Sequence, residues 1–285
     1  MTQRPKVSAP PASRPVGPDD RHRLPPELIV PAAELFDTDA IRTAIGDRIA
    51  RGGRDTVRAA AVAILRRARH DGRAAIAAAF AAHPRDSRAT VSAYSWLTDR
   101  LIETVFDTVT AHLHPCPTPT EGERLAVFAV GGYGRAEMAP FSDVDLLFLT
   151  PWKLTGWAES VIESMLYILW DLKLKVGQSS RTVRDCIHLG RQDYTIRTAL
   201  LEHRFLCGHA GLATDLHTAL WTDLFAGSEA DFIAAKLDER TARHAKQGGQ
   251  RYMVEPNVKE GKGGLRDLQT LFWIAKYVNH VRDVA

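Results

Sequence analysis

The chain has 285 residues, of which 45% are hydrophobic and 25% charged, enough to bury one large core or two modest ones. Its 37 basic and 34 acidic residues leave a formal net charge of +3, too balanced to argue for a nucleic-acid strand or a membrane surface as partner. Cys116, Cys186 and Cys207 form neither a C-x-x-C pair nor a disulfide framework, and no stretch has the length of a membrane span or the apolar core of a signal peptide. Free thiols in a reducing cytoplasm are therefore expected.

Residues 1–28 are rich in proline, at positions 5, 10, 11, 15, 18, 25 and 26, and are expected to form a disordered tail. Residues 29–118 are expected to be a helical region. Asp37, Thr38 and Asp39 offer cap residues ahead of Ile41, Ile45 and Ile49, and Gly52-Gly53 ends that pattern. Residues 55–82 are alanine-rich and helix-favouring, with an interruption expected at Asp71-Gly72. His70-Asp71 matches a phosphohydrolase dipeptide but has no partner ligands at useful spacing, and is read as coincidence. Residues 90–112 put Tyr94, Leu97, Leu101, Ile102, Val105 and Val109 on one helical stripe, closed by prolines at 115, 117 and 119.

An α/β core is expected over residues 119–183. Residues 125–130 and 144–149 are short runs rich in branched and aromatic residues, as buried strands are. A helix is expected over 157–173 and a third strand over 175–183. Residues 184–285 then read as a helical region carrying a glycine-rich loop. Within it, 183–246 look mostly helical, with Tyr194, Ile196, Leu200, Leu201, Phe205 and Leu206 as core, Asp193 and Glu202 as exposed helix acids, and 236–246 as an exposed mixed-charge face.

The chemistry concentrates between the first two strands. Gly131, Gly132 and Gly134 remove side-chain bulk and permit positive φ, which lets backbone amides close on phosphate oxygens, and Arg135 adds a charged fork. Ser142 lies in the bend formed with Pro140 and Phe141 and is counted with the nucleotide-binding residues. Asp143 and Asp145, two apart at a strand's start, point to one side and can share a cation. Magnesium suits such a pair, because it takes one or two carboxylates together with substrate phosphates and water. The strand at 175–183 carries no acid, so a third carboxylate is not evident. A second polar loop, between Gly248-Gly249 and Gly261-Lys262-Gly263-Gly264, holds Glu255, Asn257, Lys259, Arg266 and Asp267 ahead of an apolar helix. Lys259 and Arg266 are expected to meet phosphate there, with the loop folded over the nucleotide opposite the first turn.

A glycine turn after a strand, followed about ten residues later by Asp-x-Asp on the next, is similar to the nucleotidyltransferase fold. That implies an α+β class, with a small mixed sheet flanked by helices and helical segments before and after it. Gly131-Gly132-Tyr133-Gly134-Arg135-Ala136-Glu137 with Ser142-Asp143-Val144-Asp145-Leu146-Leu147 resembles the amino-terminal transferase part of the bacterial PII-protein uridylyltransferase/uridylyl-removing enzymes. The run from Tyr252 to Gln269, Y-M-V-E-P-N-V-K-E-G-K-G-G-L-R-D-L-Q, resembles the same family, and the likeness covers roughly residues 90–280. It implies UTP as donor, a tyrosine hydroxyl of the PII nitrogen-regulatory protein as acceptor, Mg2+ held by Asp143 and Asp145 as catalytic carboxylates, and pyrophosphate as product. It also implies that the phosphohydrolase and glutamine-sensing domains of such enzymes lie outside this chain, which reads as a fragment without deuridylylation. Two other readings stay open: an adenylyltransferase of the same fold, and a non-catalytic nucleotide-binding module.

Overall fold

The structure, a computed structural model, describes residues 27–246, 255 and 257–281. The proline-rich tail lies outside the described residues as far as residue 26, and so do Gly248, Gly249, Tyr252, Met253, Val254 and Pro256 of the second motif.

Four helices open the described chain: α1 (Ala32–Leu35), α2 (Thr38–Gly52), α3 (Val57–Ala82) and α4 (Ser87–Thr108). Asp37 caps α2 by accepting a hydrogen bond from the Ala40 amide at 3.0 Å, and Gly53 ends it at φ 75°. The interruption expected at Asp71-Gly72 is absent, and α3 runs straight through it. Gly72 is there for a contact, because a Cβ at that position would sit 2.7 Å from the Leu35 carbonyl oxygen. The glycine lets α1 press against α3, and its poor helix propensity is outweighed over a long alanine-rich helix.

The four-stranded mixed sheet is built from β1 (Ala126–Ala129), β2 (Val144–Thr150), β3 (Val176–Thr182) and β4 (Arg204–Gly208), in the order β3-β2-β1-β4. β1 is antiparallel to both neighbours, while β2 and β3 are parallel and joined by the crossover helix α6 (Gly156–Asp171). A four-residue helix, α5 (Gly131–Gly134), follows β1 directly. Both faces of β1 and β2 are covered, which explains their continuous apolar runs. Val127, Ala129, Val144, Leu146 and Phe148 join one core with Leu97, Leu101 and Val105 of α4 and Val161 and Met165 of α6. Ala126, Phe128, Leu147 and Leu149 join a second core with α7 (Val183–Gln192), α8 (Tyr194–Leu201) and α9 (Ala210–Ala219).

β4 corrects the helical reading of this stretch. Five residues are too few for periodicity to separate a strand from a helix, and pairing with the edge of β1 decides the matter. Two further helices, α10 (Glu229–Lys246) and α11 (Leu265–Asn279), close the second core, with the rings of Phe232 and Tyr277 stacked at 4.0 Å. Lys236, expected on an exposed face, is instead 2% exposed. Its ammonium donates to Glu239 at 2.6 Å and lies 5.2 Å from the Trp273 ring centre, so the charge is satisfied while the stem packs. The cysteines are free thiols, and no helix among the described residues is long and apolar enough to cross a membrane.

Candidate active site

Asp145 sits on β2 in register with Gly177 of the parallel strand β3. Its carboxylate occupies the space that two glycines leave open. A Cβ on Gly131 would lie 3.5 Å from Oδ2, and a Cβ on Gly177 would lie 2.4 Å from Oδ1. Gly131 itself adopts φ 60°, the left-handed conformation that glycine takes without penalty, so the chain turns directly from β1 into α5. The Val130 amide donates to the Asp145 carbonyl at 3.0 Å and ties the turn to β2. On the other side of the glycine pair, a Cβ on Gly132 would meet Arg135 Nη2 at 3.7 Å. A carboxylate and a guanidinium therefore flank Gly131-Gly132.

Asp143 is exposed at the mouth of this cradle and Asp145 half-buried. Burial pushes the Asp145 pKa up, and the neighbouring Asp143 charge pushes it further in the same direction. A carboxylate whose ionisation is made costly by burial and by a neighbouring negative charge is relieved by a divalent cation. Among the described residues no group of three or more His, Cys, Asp or Glu side chains could hold a metal ion. A divalent cation on such a pair would fill its remaining positions with phosphate oxygens and water.

The glycine turn is anchored from behind. Tyr133 is 1% exposed and its hydroxyl donates to Asp99 Oδ1 of α4 at 2.7 Å. Arg204, at the start of β4, donates to both Asp99 oxygens at 2.7 and 3.0 Å, and to the carbonyls of Tyr133 and Gly134 at 3.2 Å each. Burial, reinforced by Asp99, holds the Tyr133 phenol well above its ordinary pKa, so it remains a donor. Met138, on the far side of the turn, gives its amide to Ser95 Oγ at 3.2 Å. Neither Asp99 nor Arg204 was legible as a site residue. An acid inside an apolar helical stripe was the one available signal.

Gly134 is buried, and a Cβ there would fall 1.8 Å from the Glu202 carbonyl oxygen, so its smallness serves the approach of the end of α8. Glu202 was expected to be an exposed helix acid. It is 2% exposed because it lies beneath the glycine turn, where two cations compensate its charge. Its Oε1 accepts from Lys276 of α11 at 3.2 Å, and Oε2 lies 3.9 Å from Arg135 Nε with no hydrogen-bond partner. Burial raises the Glu202 pKa, while Lys276 and Arg135 pull it back. Arg135 Nε donates to Glu137 at 2.9 Å. Ser142 Oγ accepts from the Ala139 amide at 2.9 Å and closes the bend before Asp143. Asp193 caps α8 through the amides of Thr195 and Ile196.

The second motif docks on α10. Asp267 binds Arg243 and His244, and accepts from the Gly263 amide at 2.8 Å. The Asn257 side chain accepts from the amides of Lys259 and Glu260 at 3.0 and 2.9 Å. Arg266 donates to Gln269 at 2.9 Å and lies 5.5 Å from the Trp273 ring centre. Among the described residues, no hydrogen bond or ion pair joins the side chains of Lys259 or Arg266 to the glycine turn. The link between the two motifs runs through α11, from Lys276 to Glu202 and Arg135.

Two family models match the chain: that for glutamate-ammonia ligase adenylyltransferase over residues 23–169, just over half of it, and that for GlnD PII-uridylyltransferase over residues 231–285. The chain is 59% identical over 257 residues to a bifunctional uridylyltransferase/uridylyl-removing enzyme of Cereibacter sphaeroides, covering 89% of this chain and 28% of that protein. It is 61% identical over 252 residues to the protein of the same description from Ruegeria pomeroyi, with 88% and 28% covered. For the one from Rhodospirillum rubrum the identity is 49% over 227 residues, with 80% and 24% covered. The chain spans less than a third of the length of these relatives.

Proposed function

The chain belongs to the family of the bifunctional uridylyltransferase/uridylyl-removing enzymes, and on that premise we propose that it moves UMP from UTP to a tyrosine hydroxyl of the PII nitrogen-regulatory protein, in the cytoplasm. The acceptor oxygen attacks the α-phosphorus and gives up its hydroxyl proton, the bond from that phosphorus to the bridging oxygen of the β-phosphate breaks, and pyrophosphate leaves with that oxygen. The observation that carries this reading is the Asp145 carboxylate pressed between Gly131 and Gly177, repelled by Asp143 and lying across the glycine pair from Arg135.

Asp143 and Asp145 would hold Mg2+, which would supply positive charge against the triphosphate and the leaving pyrophosphate. The backbone at Gly131 and Gly132 approaches the β and γ phosphates, and Arg135 adds a guanidinium to them. Gly134 and Ser142 shape the turn that presents these groups. Lys259 and Arg266 supply further cations from the second motif. Most of the acceleration comes from holding the reactants in line.

Incorporation of labelled UMP from UTP into PII tests the reading. Label from UTP but not ATP is expected, and label from neither, with nucleotide still bound, would contradict it. The adenylyltransferase model's match over residues 23–169 favours a second reading, in which ATP is the donor and glutamine synthetase the acceptor. The same assay with that acceptor separates the two.

Two substitutions probe the positioning of the site. Gly177→Ala places a methyl group 2.4 Å from Asp145 Oδ1 on an exposed strand, so the carboxylate must move while the fold tolerates the change. Turnover is expected to fall by about 100-fold, the cost of roughly an ångström of misplacement, with an unchanged thermal midpoint. Glu202→Gln keeps an acceptor for Lys276 but removes the charge beneath Arg135. The KM for UTP is expected to rise by about tenfold, the worth of one charge-assisted contact, with kcat less affected; steady-state kinetics separates the two.

A further inference from the structure

A second cationic recess lies on the opposite face of β2. Alternation along the strand sends Asp145, like Leu147 and Leu149, to one face, while Val144 joins Leu146 and Phe148 on the other. On Val144's face a cavity of about 300 Å³ opens between α3, α4, the bend at 140–142 and the turn from α6 into β3. Four cations line it, Arg69 and Arg73 from α3 and Lys173 and Lys175 from the turn, and no carboxylate does.

No ion pair among the described residues joins any of these four to an acid. Arg69 and Arg73 are close enough, and Arg69 buried enough, that burial first and the neighbouring guanidinium second depress the Arg69 pKa. Unpaired like charges gathered in a recess are unfavourable until an anion neutralises them. Lys173 stands at φ 60° in the cap of α6, where glycine is the ordinary occupant, so the lysine holds its place against a backbone penalty. The rest of the lining suits a flat body. The Arg73 guanidinium lies 5.5 Å from the Tyr94 ring centre and 5.9 Å from that of Phe141, Phe141 is 85% exposed, and Leu97, Leu101 and Met138 form the floor. An aromatic side chain held over cations and left open to solvent offers a stacking surface beside charged forks.

We propose that this recess binds a small organic phosphate, an anion of nucleotide size with a planar body, at a site separate from that of Asp143 and Asp145. The bend carrying Phe141 and Ser142 forms its rim and leads directly into Asp143, so an occupant there bears on the strand end that carries the carboxylates. The inference does not depend on which nucleotide is turned over.

Titration calorimetry of the full chain with UMP and with inorganic phosphate, in EDTA, tests it. UMP is expected to bind without divalent metal, and Arg69→Gln/Arg73→Gln to weaken it by about tenfold or more. Lys173→Gln/Lys175→Gln, two exposed positions that the fold does not need, should weaken it in the same direction. Asp143→Asn/Asp145→Asn should leave it unchanged, as should Arg85→Gln/Arg88→Gln, which removes equal charge from exposed positions outside the recess. Absence of metal-free UMP binding would overturn the proposal. So would loss in the aspartate variant with retention in both cation variants, an equal loss in the Arg85/Arg88 variant, or inorganic phosphate binding as tightly as UMP.

Discussion

Asp145→Asn is expected to lower the proposed uridylyl transfer by about 1,000-fold or more, the several kcal/mol that a metal-held transition state commands. The same substitution is expected to leave the protein as stable as the parent, or more so, in the absence of metal. Burial and the Asp143 charge both raise the Asp145 pKa, so at neutral pH the folded chain carries an ionised group that the unfolded chain carries more comfortably. The sign follows from that direction. A carboxyl whose folded pKa is raised favours folding most when protonated, and that contribution fades as the pH rises through the folded value. The advantage of the asparagine variant is therefore present at pH 7 and closes on acidification towards the ordinary carboxylate range. Urea unfolding of both proteins at several pH values in EDTA measures the gap, and activity falling together with stability would contradict the expectation. A site that costs stability when empty and gains function when filled is a common trade at active centres.

Asp99→Ala is expected to cost about 3–5 kcal/mol, because it strands a buried guanidinium and removes the acceptor of a buried phenol together. Asp99 receives two hydrogen bonds from Arg204 and one from Tyr133, and Arg204 also holds two carbonyls of the glycine turn. The loss therefore falls on the turn as well as on the core, and activity should decline even in the fraction that remains folded. A double-mutant cycle with Tyr133→Phe checks the mechanism by urea unfolding. Contacting members of one network couple by about 0.5–3 kcal/mol, whereas additive effects would show that the tyrosine is held by packing alone.

The glycine turn and the Asp-x-Asp pair were readable because their constraints are local. Gly131 follows a strand by one residue, and Asp143, just ahead of β2, lies close enough for its charge to act on Asp145 within the strand. The helices α2 and α4 were readable through a capping aspartate and a long apolar stripe. What was missed is held by partners distant in sequence. Glu202 resembled a surface acid because its cations come from residues 135 and 276. Lys236 looked solvated because the aromatic ring above it belongs to α11. β4 was too short for periodicity, and its strand character comes from its edge pairing with β1. Gly72 and Gly134 could be read as breakers or phosphate contacts from composition, while their neighbours in space, the carbonyls of Leu35 and Glu202, show glycines required for close approach.

The most direct measurement is uptake of Mn2+, standing in for Mg2+, followed by the loss of the free-ion electron paramagnetic resonance signal as UTP is added to the parent and to Asp143→Asn/Asp145→Asn. The expected result is nucleotide-dependent uptake by the parent that disappears in the variant, since Asp143 and Asp145 are the carboxylates proposed to hold the ion. Equal uptake by both proteins would place the metal and its nucleotide elsewhere and contradict the assignment of the site.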